Sequence, residues 1–308
     1  MFKKLKTELF YAKKMIQWRY GLHDWYRYII NKFFSLQMLS RMKPVQCIED
    51  ADFELHILAP RNGLWMAYWA IRSFMHHSGR CPKVVIHDDG SIDDKAKRIF
   101  ESKLPNARVL YRQEAERLFF SDPTIPDLVK KYRRECKNFY IIMFVDHFFL
   151  SKSDKVMVMD NDILFYNRPN EIIDFLENKN MLDAVFYGSE EWDGNPLDIT
   201  EEYKNKYSSI LTDASRLNSG VIVFNKNKYD YTKITEYFEN VTKPHGDLIE
   251  QTGWGMVLCQ NPHEFLSEER YIFRGSIGTS VVAKHFTKPR RHEMFARGID
   301  EARKRIGA

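Results

Sequence analysis

Between Lys155 and Phe165 the chain reads KVMVMDNDILF. The run Val156–Met159 is apolar without alternation, which predicts a strand covered on both faces, as in the middle of a parallel sheet. Such a strand requires an α/β architecture with helices on both sides. It ends on Asp160 and Asp162, with Asn161 between them. Carboxylates at the carboxyl end of a buried strand emerge where open α/β sheets bind ligands. Two of them one residue apart in a sharp bend can face one hard cation. A D-x-D in a turn is often only a solvated loop, but rarely so after a fully buried strand, and the residues point to a metal site.

The surrounding pattern agrees. ELHILAP (54–60) predicts a first strand and GLWMAYWAIRSFMHHSG (63–79) a helix closed by a glycine C-cap. KVVIHDD (83–89), DDKAKRIFESKL (93–104) and ARVLYR (107–112) continue as strand, helix and strand. Alternation at these lengths means right-handed βαβ units and a mostly parallel central sheet flanked by helices. The stretch SDPTIPD (121–127) precedes one long helix expected to run to about Leu150. DAVFYGS (183–189), GVIVFN (220–225) and SVVAKHF (280–286) predict further strands, and the charged stretch from Trp192 to Arg216 a loop or short helices. Three regions follow: a basic aromatic helical arm (1–46), the α/β domain (52–292) and a basic C-terminal tail (293–308).

Charge separates these regions. The net charge of +5 conceals ten basic residues against two acidic ones in 1–43, and seven against three in 288–305, so the domain between carries −7. A nucleic-acid binder would more often carry its positive charge on the folded domain, and none is expected as a partner. No window of the arm reaches the length of a membrane span, and no signal-peptide cleavage pattern is present. Leu5, Leu9 and Ile16, then Trp25, Ile29 and Phe33, line apolar faces of two helices broken near Gly21. Basic helices rich in aromatics suit an anionic membrane surface; packing on the chain's own domain or on a second subunit is the equal alternative. Cys47, Cys81, Cys136 and Cys259 lack any C-x-x-C spacing, so reduced thiols and a cytoplasmic protein, peripheral on the inner face of a membrane, are expected.

A second acidic cluster, HDDGSIDD (87–94), ends the second strand. D-D-G-S is good turn chemistry by itself, and Asp93 or Asp94 can cap the next helix. Its position at a strand's carboxyl end also lets Asp88 and Asp89 accept hydrogen bonds from a base or a ribose. With a first strand, a D-D-G-S-x-D turn and a central strand ending in D-x-D, the chain resembles the GT-A fold of nucleotide-sugar glycosyltransferases. LNSGVIVFN (217–225), Glu250–Gln251 and KHFTKPRR (284–291) are similar to the N-S-G-V, D-Q and H-x-x-K-P segments of the glycogenin-like family eight, while the D-D-G-S turn is closer to family two.

That resemblance, over about residues 52–292, implies a metal-dependent hexosyltransferase using a UDP-sugar and a glycan or lipid-linked acceptor. It implies Mn²⁺ or Mg²⁺ on Asp160, Asp162 and His285, the histidine tilting the choice to Mn²⁺. It places the donor against Ala59, Asp88, Asp89, Asp160, Asn161, Asn218 and Ser219, with Lys288 and Arg290 on the diphosphate. Lys137, Arg133 or Arg134 stands in for an arginine the family carries before D-x-D. Retention would set Gln251, beside Glu250, at the anomeric carbon. Inversion would need a carboxylate base, for which Glu190, Glu191 and Asp193 in GSEEWDGNP are the pool. The bland readings are a core or surface histidine at 285 and a simple turn at Asn218–Gly220.

Two rivals belong to other classes. A D-x-D phosphatase would open its fold with the motif, whereas here an αβ half precedes it, and GDLIEQ (246–251) lacks that family's second aspartate. The other is a non-catalytic scaffold of the same shape that binds membranes or partners through its basic ends.

Overall fold

Covering one strand on both faces organises the molecule. A computed structural model describes residues 2–45, 53–136, 138, 140–188 and 196–307. Its strands are β1 (Phe53–Ala59), β2 (Lys83–Asp88), β3 (Ala107–Leu110), β4 (Lys155–Met159) and β5 (Ile163–Phe165). They are followed by β6 (Ala184–Gly188), β7 (Leu217–Asn225), β8 (His263–Phe265), β9 (Tyr271–Ile272) and β10 (Ala283–His285). The main sheet has the order β3-β2-β1-β4-β7-β6-β8. Only β7 runs against its neighbours. A small sheet, β5-β10-β9, stands beside it. This is the mostly parallel central sheet flanked by helices that the sequence predicts.

Side chains alternate across each strand, so VMVM feeds two cores. Met157 and Met159 enter one, Val156 and Val158 the other. The first core is closed by helices α1 (Phe2–Gln17), α2 (Leu22–Phe33), α3 (Ser35–Arg41) and α4 (Leu64–Ser78), with the C-terminal helical run 291–305. The second lies under helices Ile141–Phe149, Tyr231–Glu239 and Ile249–Leu258. Helix α4 ends on Gly79 at φ 70°, a left-handed cap that glycine adopts without a Cβ penalty. Asp93 caps α5 (Asp94–Lys103) by accepting the Ala96 N–H at 2.7 Å.

The arm packs on its own chain. Tyr11, Met15, Tyr28 and Leu39 are buried in the first core. Tyr11 donates to the Lys288 carbonyl at 2.7 Å, and the Asn31 amide donates to the Phe295 carbonyl at 2.7 Å. Arg297 pairs with Asp24 at 2.6 Å.

Two expectations are corrected. The single helix to Leu150 is instead two, Asp127–Glu135 and Ile141–Phe149. Asn138 holds the break, since its side chain accepts the Tyr140 N–H and donates to the Gly246 carbonyl. Local periodicity does not register such a long-range anchor. Cys81 is disulfide-bonded, whereas Cys136 and Cys259 are free thiols; sequence spacing could not reveal that pairing, because it depends on proximity in space.

On the second face of the sheet the core holds a polar nest. His56 Nδ1 lies 2.9 Å from His87 Nε2, and His56 Nε2 lies 3.2 Å from Glu54 Oε2. The His147 ring sits 4.4 Å from that of His87 with neither nitrogen hydrogen-bonded. Burial drives the pKa of both His87 and His147 well below the ordinary histidine range, and neighbouring histidines add to the effect. The unfolded chain takes up protons that this core refuses, so the contribution of these two histidines to stability is full above about pH 6.5 and is lost below it. The melting-temperature difference between His147→Leu and wild type should shift in the variant's favour as pH falls from 7.5 to 5.5. Equal slopes in wild type and variant would contradict the assignment.

Candidate active site

The register of two sheets builds the site. Strand β4 pairs with β7 so that Met159 faces Val221, and the Asp160 N–H donates to the Gly220 carbonyl at 2.8 Å. The chain then turns through Asn161 and Asp162 into β5, where Ile163 pairs with His285 of β10. The Phe286 N–H donates to the Asp162 carbonyl at 2.8 Å, which closes the corner. Two carboxylates and an imidazole from distant parts of the chain thereby converge.

His285 Nε2 stands 3.2 Å from Asp160 Oδ2 and 3.2 Å from Asp162 Oδ1. Donor atoms of these three residues all lie within 4.8 Å of one another. Asp162 and His285 are buried, and Asp160 is partly open to the cleft. Burial alone would depress His285, but its hydrogen bonds to both carboxylates outweigh burial and lift the pKa to about 9. Burial pushes Asp160 up. It also works against Asp162, yet the Arg291 guanidinium and His285 hold that carboxyl well below its usual range. Arg291 Nε donates to Asp162 Oδ2 at 2.9 Å, and its Nη2 reaches the same oxygen. Protonated His285 and Arg291 thus balance two carboxylates. The residues fit a divalent cation: two carboxylate oxygens and one imidazole nitrogen already crowd one positive charge, and these are the donor types of Mg²⁺ or Mn²⁺ sites.

Strand β7 supplies the next layer. Its pairing with β6 jumps from Phe186–Ile222 to Tyr187–Asn218, a bulge across residues 219–221. Bulges re-aim side chains. Here Ser219 donates to Glu250 Oε2 at 3.0 Å, and Asn218 Oδ1 accepts the Gly220 N–H at 3.0 Å. The segment Asn218–Gly220 is therefore part of the strand and not a turn before it. Glu250 opens the helix Ile249–Leu258 and is buried, with Oε1 unpartnered. Burial, reinforced by the charge of Asp160, raises its pKa to about 8, so the carboxyl stays neutral at pH 7.

A cleft of about 1000 Å³ opens over these groups. It is lined by Asp160, Asn161, Asp162, Ser219, Glu250, Gln251, His285 and Lys288 of the expected set. The structure places the other expected residues differently. Ala59 is buried at the end of β1, beneath the lining residues Leu58 and Pro60. Asp88 is committed to its own turn, accepting the Ser91 and Ile92 N–H groups at 2.9 Å each, and Asp89 accepts from Ser91. Asn218 is not among the lining residues and bonds to the Gly220 N–H, and Arg290 faces Glu293 at 3.3 Å and the Trp18 ring. Arg133 is spent on a buried pair with Asp146 at 2.7 Å, and Arg134 lies over Phe120. Lys137, Glu190, Glu191, Trp192 and Asp193 lie outside the described residues.

Sequence reasoning missed four contributors. Arg291 sits next to the chosen Arg290, and the 3₁₀ turn Lys288–Arg290 decides which of them faces the carboxylates. Asp247, exposed on the cleft wall, lies within the GDLIEQ segment already singled out. Tyr11 and Lys32 of the arm also line the cleft, and nothing local in the sequence indicates it.

Gly220 makes room for the histidine. A Cβ there would lie 2.6 Å from His285 Nδ1 and 2.9 Å from Asn218 Oδ1. Gly220→Ala should displace the ring and weaken Mn²⁺ binding in titration calorimetry by about tenfold or more; unchanged affinity would remove His285 from the metal site. For Glu250 the sign runs the other way from the core histidines. The unfolded chain loses this proton in the ordinary carboxylate range and the folded chain only near pH 8, so the contribution of Glu250 to stability is lost as pH rises from about 4.5 to 8. The melting-temperature difference between Glu250→Gln and wild type should widen in the variant's favour across that interval.

The sequence model of glycosyl transferase family 8 matches residues 28–285. Among solved structures, the apo bifunctional glycosyltransferase WbbM shares 12% identity over 86% of this chain and 53% of its own, with a TM-score of 0.51. This chain thus spans about half of that enzyme. Mouse xyloside xylosyltransferase 1 matches 76% of this chain and 97% of its own at 12% identity and a TM-score of 0.48. The galactosyltransferase LgtC, solved with donor and acceptor sugar analogues, matches 82% of this chain and 95% of its own at 14% and 0.47. No curated protein sequence matches the chain.

Proposed function

The chain belongs to glycosyl transferase family 8, and from that premise we propose that it transfers a hexose from a nucleotide diphosphate, of which UDP is the expected form, to a glycan or lipid-linked acceptor. The observation that carries this reading is the convergence of Asp160, Asp162 and His285 at the floor of the large cleft. A diphosphate leaving group gathers negative charge as the sugar departs, and a donor site must neutralise it.

Asp160, Asp162 and His285 would hold Mn²⁺ or Mg²⁺, with His285 giving up its Nε2 proton on binding. Bound there, the cation supplies electrostatic stabilisation of the diphosphate. Arg291 keeps Asp162 ionised and oriented, so that Oδ1 remains available. Lys288, exposed at the cleft edge, brings a further positive charge to the phosphates. Ser219 fixes Glu250, and the neutral Glu250 backs Gln251 on the cleft wall without adding charge.

Retention is favoured over inversion. Gln251 is an amide and cannot take a proton, and Glu250 is already protonated at pH 7. An inverting enzyme needs a free carboxylate base; among the described lining residues that would fall to Asp247, and in the segment outside them to Glu191 or Asp193.

Asp162→Ala should lower Mn²⁺-dependent UDP-sugar hydrolysis by at least about 100-fold while leaving the melting curve cooperative. In the wild type, Mn²⁺ with the correct nucleotide sugar should raise the melting temperature by mass action, and EDTA should abolish the rise. Undiminished hydrolysis by the variant would refute the metal-dependent reading. Retention predicts an α-configured product from an α-linked donor by NMR, and tolerance of Asp247→Asn.

A further inference from the structure

Helix α1 buries Tyr11 and Met15 on one side, yet turns Leu5, Leu9 and Ile16 outward, at 55%, 62% and 71% exposure. Helix α2 repeats the arrangement. Leu22, Tyr26, Ile29 and Phe33, spaced four, three and four residues apart, form one row that is between 44% and 90% exposed. This differs from the face expected around Trp25, which instead packs partly into the core. Rows of this kind on a folded chain are not the scattered apolar residues of an ordinary surface.

Two further observations say what covers them. The first is charge. Glu8 is paired with Lys32 at 2.7 Å and Asp24 with Arg297 at 2.6 Å, and these are the arm's only acids. Lys6, Lys13 and Arg19 are exposed beside the apolar rows. The second is position. Leu5 ends the α1 row and Phe33 ends the α2 row, and both line the cleft that holds Asp160 and Asp162.

We propose that the α1–α2 face seats the protein on an anionic lipid bilayer, so that the cleft opens at the membrane surface. Apolar rows of amphipathic helices enter the acyl boundary while flanking lysines and arginines meet anionic headgroups. A second copy fits this face less well, because a twofold contact sets the same basic patch against itself. Resting on the transferase reading, the seat selects a lipid-linked acceptor, whose sugar would reach the cleft from the headgroup layer; the seat itself requires only the arm.

The full chain should float with vesicles containing phosphatidylglycerol, and much less with pure phosphatidylcholine or at high salt. Leu9→Glu combined with Ile29→Glu, neither residue lining the cleft, should weaken that partition by roughly tenfold or more. Soluble UDP-sugar hydrolysis should remain unchanged, which keeps the two readings separable. Lys6→Glu with Lys13→Glu should lower binding to anionic vesicles in the same sense. Wild-type chain that stays unbound, or a double variant that floats as well as wild type, overturns the proposal. So does a wild-type dimer that the apolar variant turns into a monomer, because the rows would then be an interface between copies. Vesicle binding without any hydrolysis would sink the transferase reading and leave the seat standing.

Discussion

Two carboxylates at the end of a strand buried on both faces are an electrostatic problem, and the fold is arranged around its solution. Unpaired, Asp162 would be a charge removed from water, which a protein interior does not tolerate without partners. The partners, His285 and Arg291, arrive from the far end of the chain. Strand β10 brings the first by pairing with β5, and the turn that follows brings the second. The small sheet is thus the device that closes the site, and it exists because β5 leaves the main sheet at the aspartate turn.

The same C-terminal segment also holds the arm. Tyr11 bonds to the Lys288 carbonyl and Asn31 to that of Phe295, while Asn31 also accepts from the Trp65 indole at 3.2 Å. Residues 284–300 therefore meet the aspartate pair on one side and the arm on the other. Arm and cleft wall thus pack on one C-terminal segment, and Leu5 and Phe33, at the ends of the outward rows, line the cleft.

Much of this was legible beforehand, for identifiable reasons. Strands β1 and β4 announced themselves because burial on both faces removes alternation, and β2 and β4 because aspartate marks their carboxyl ends. The aspartate pair was readable because two acids seldom end a strand buried on both faces unless partners of opposite charge meet them. The break at Asn138, the bulge at Ser219–Val221 and the preference for Arg291 over Arg290 were not readable, since each is set by a contact some thirty residues or more away in sequence or by the phase of a short turn. Asp88 and Asp89 show the converse. Their motif suggested ligand binding, and the turn takes Oδ1 of each carboxylate for its own backbone N–H groups.

What the amino-acid order determined alone is the set of locally encoded features: hydrophobic period, caps and the acids at a strand end, all short-range preferences of backbone and side chain. What the tertiary structure decided is which charges meet. Pairing His285 and Arg291 with Asp162, or Tyr11 with Lys288, depends on register between strands and on loop closure over more than a hundred residues. No local preference carries that information, because the energy of a buried charge is set by its neighbours in space.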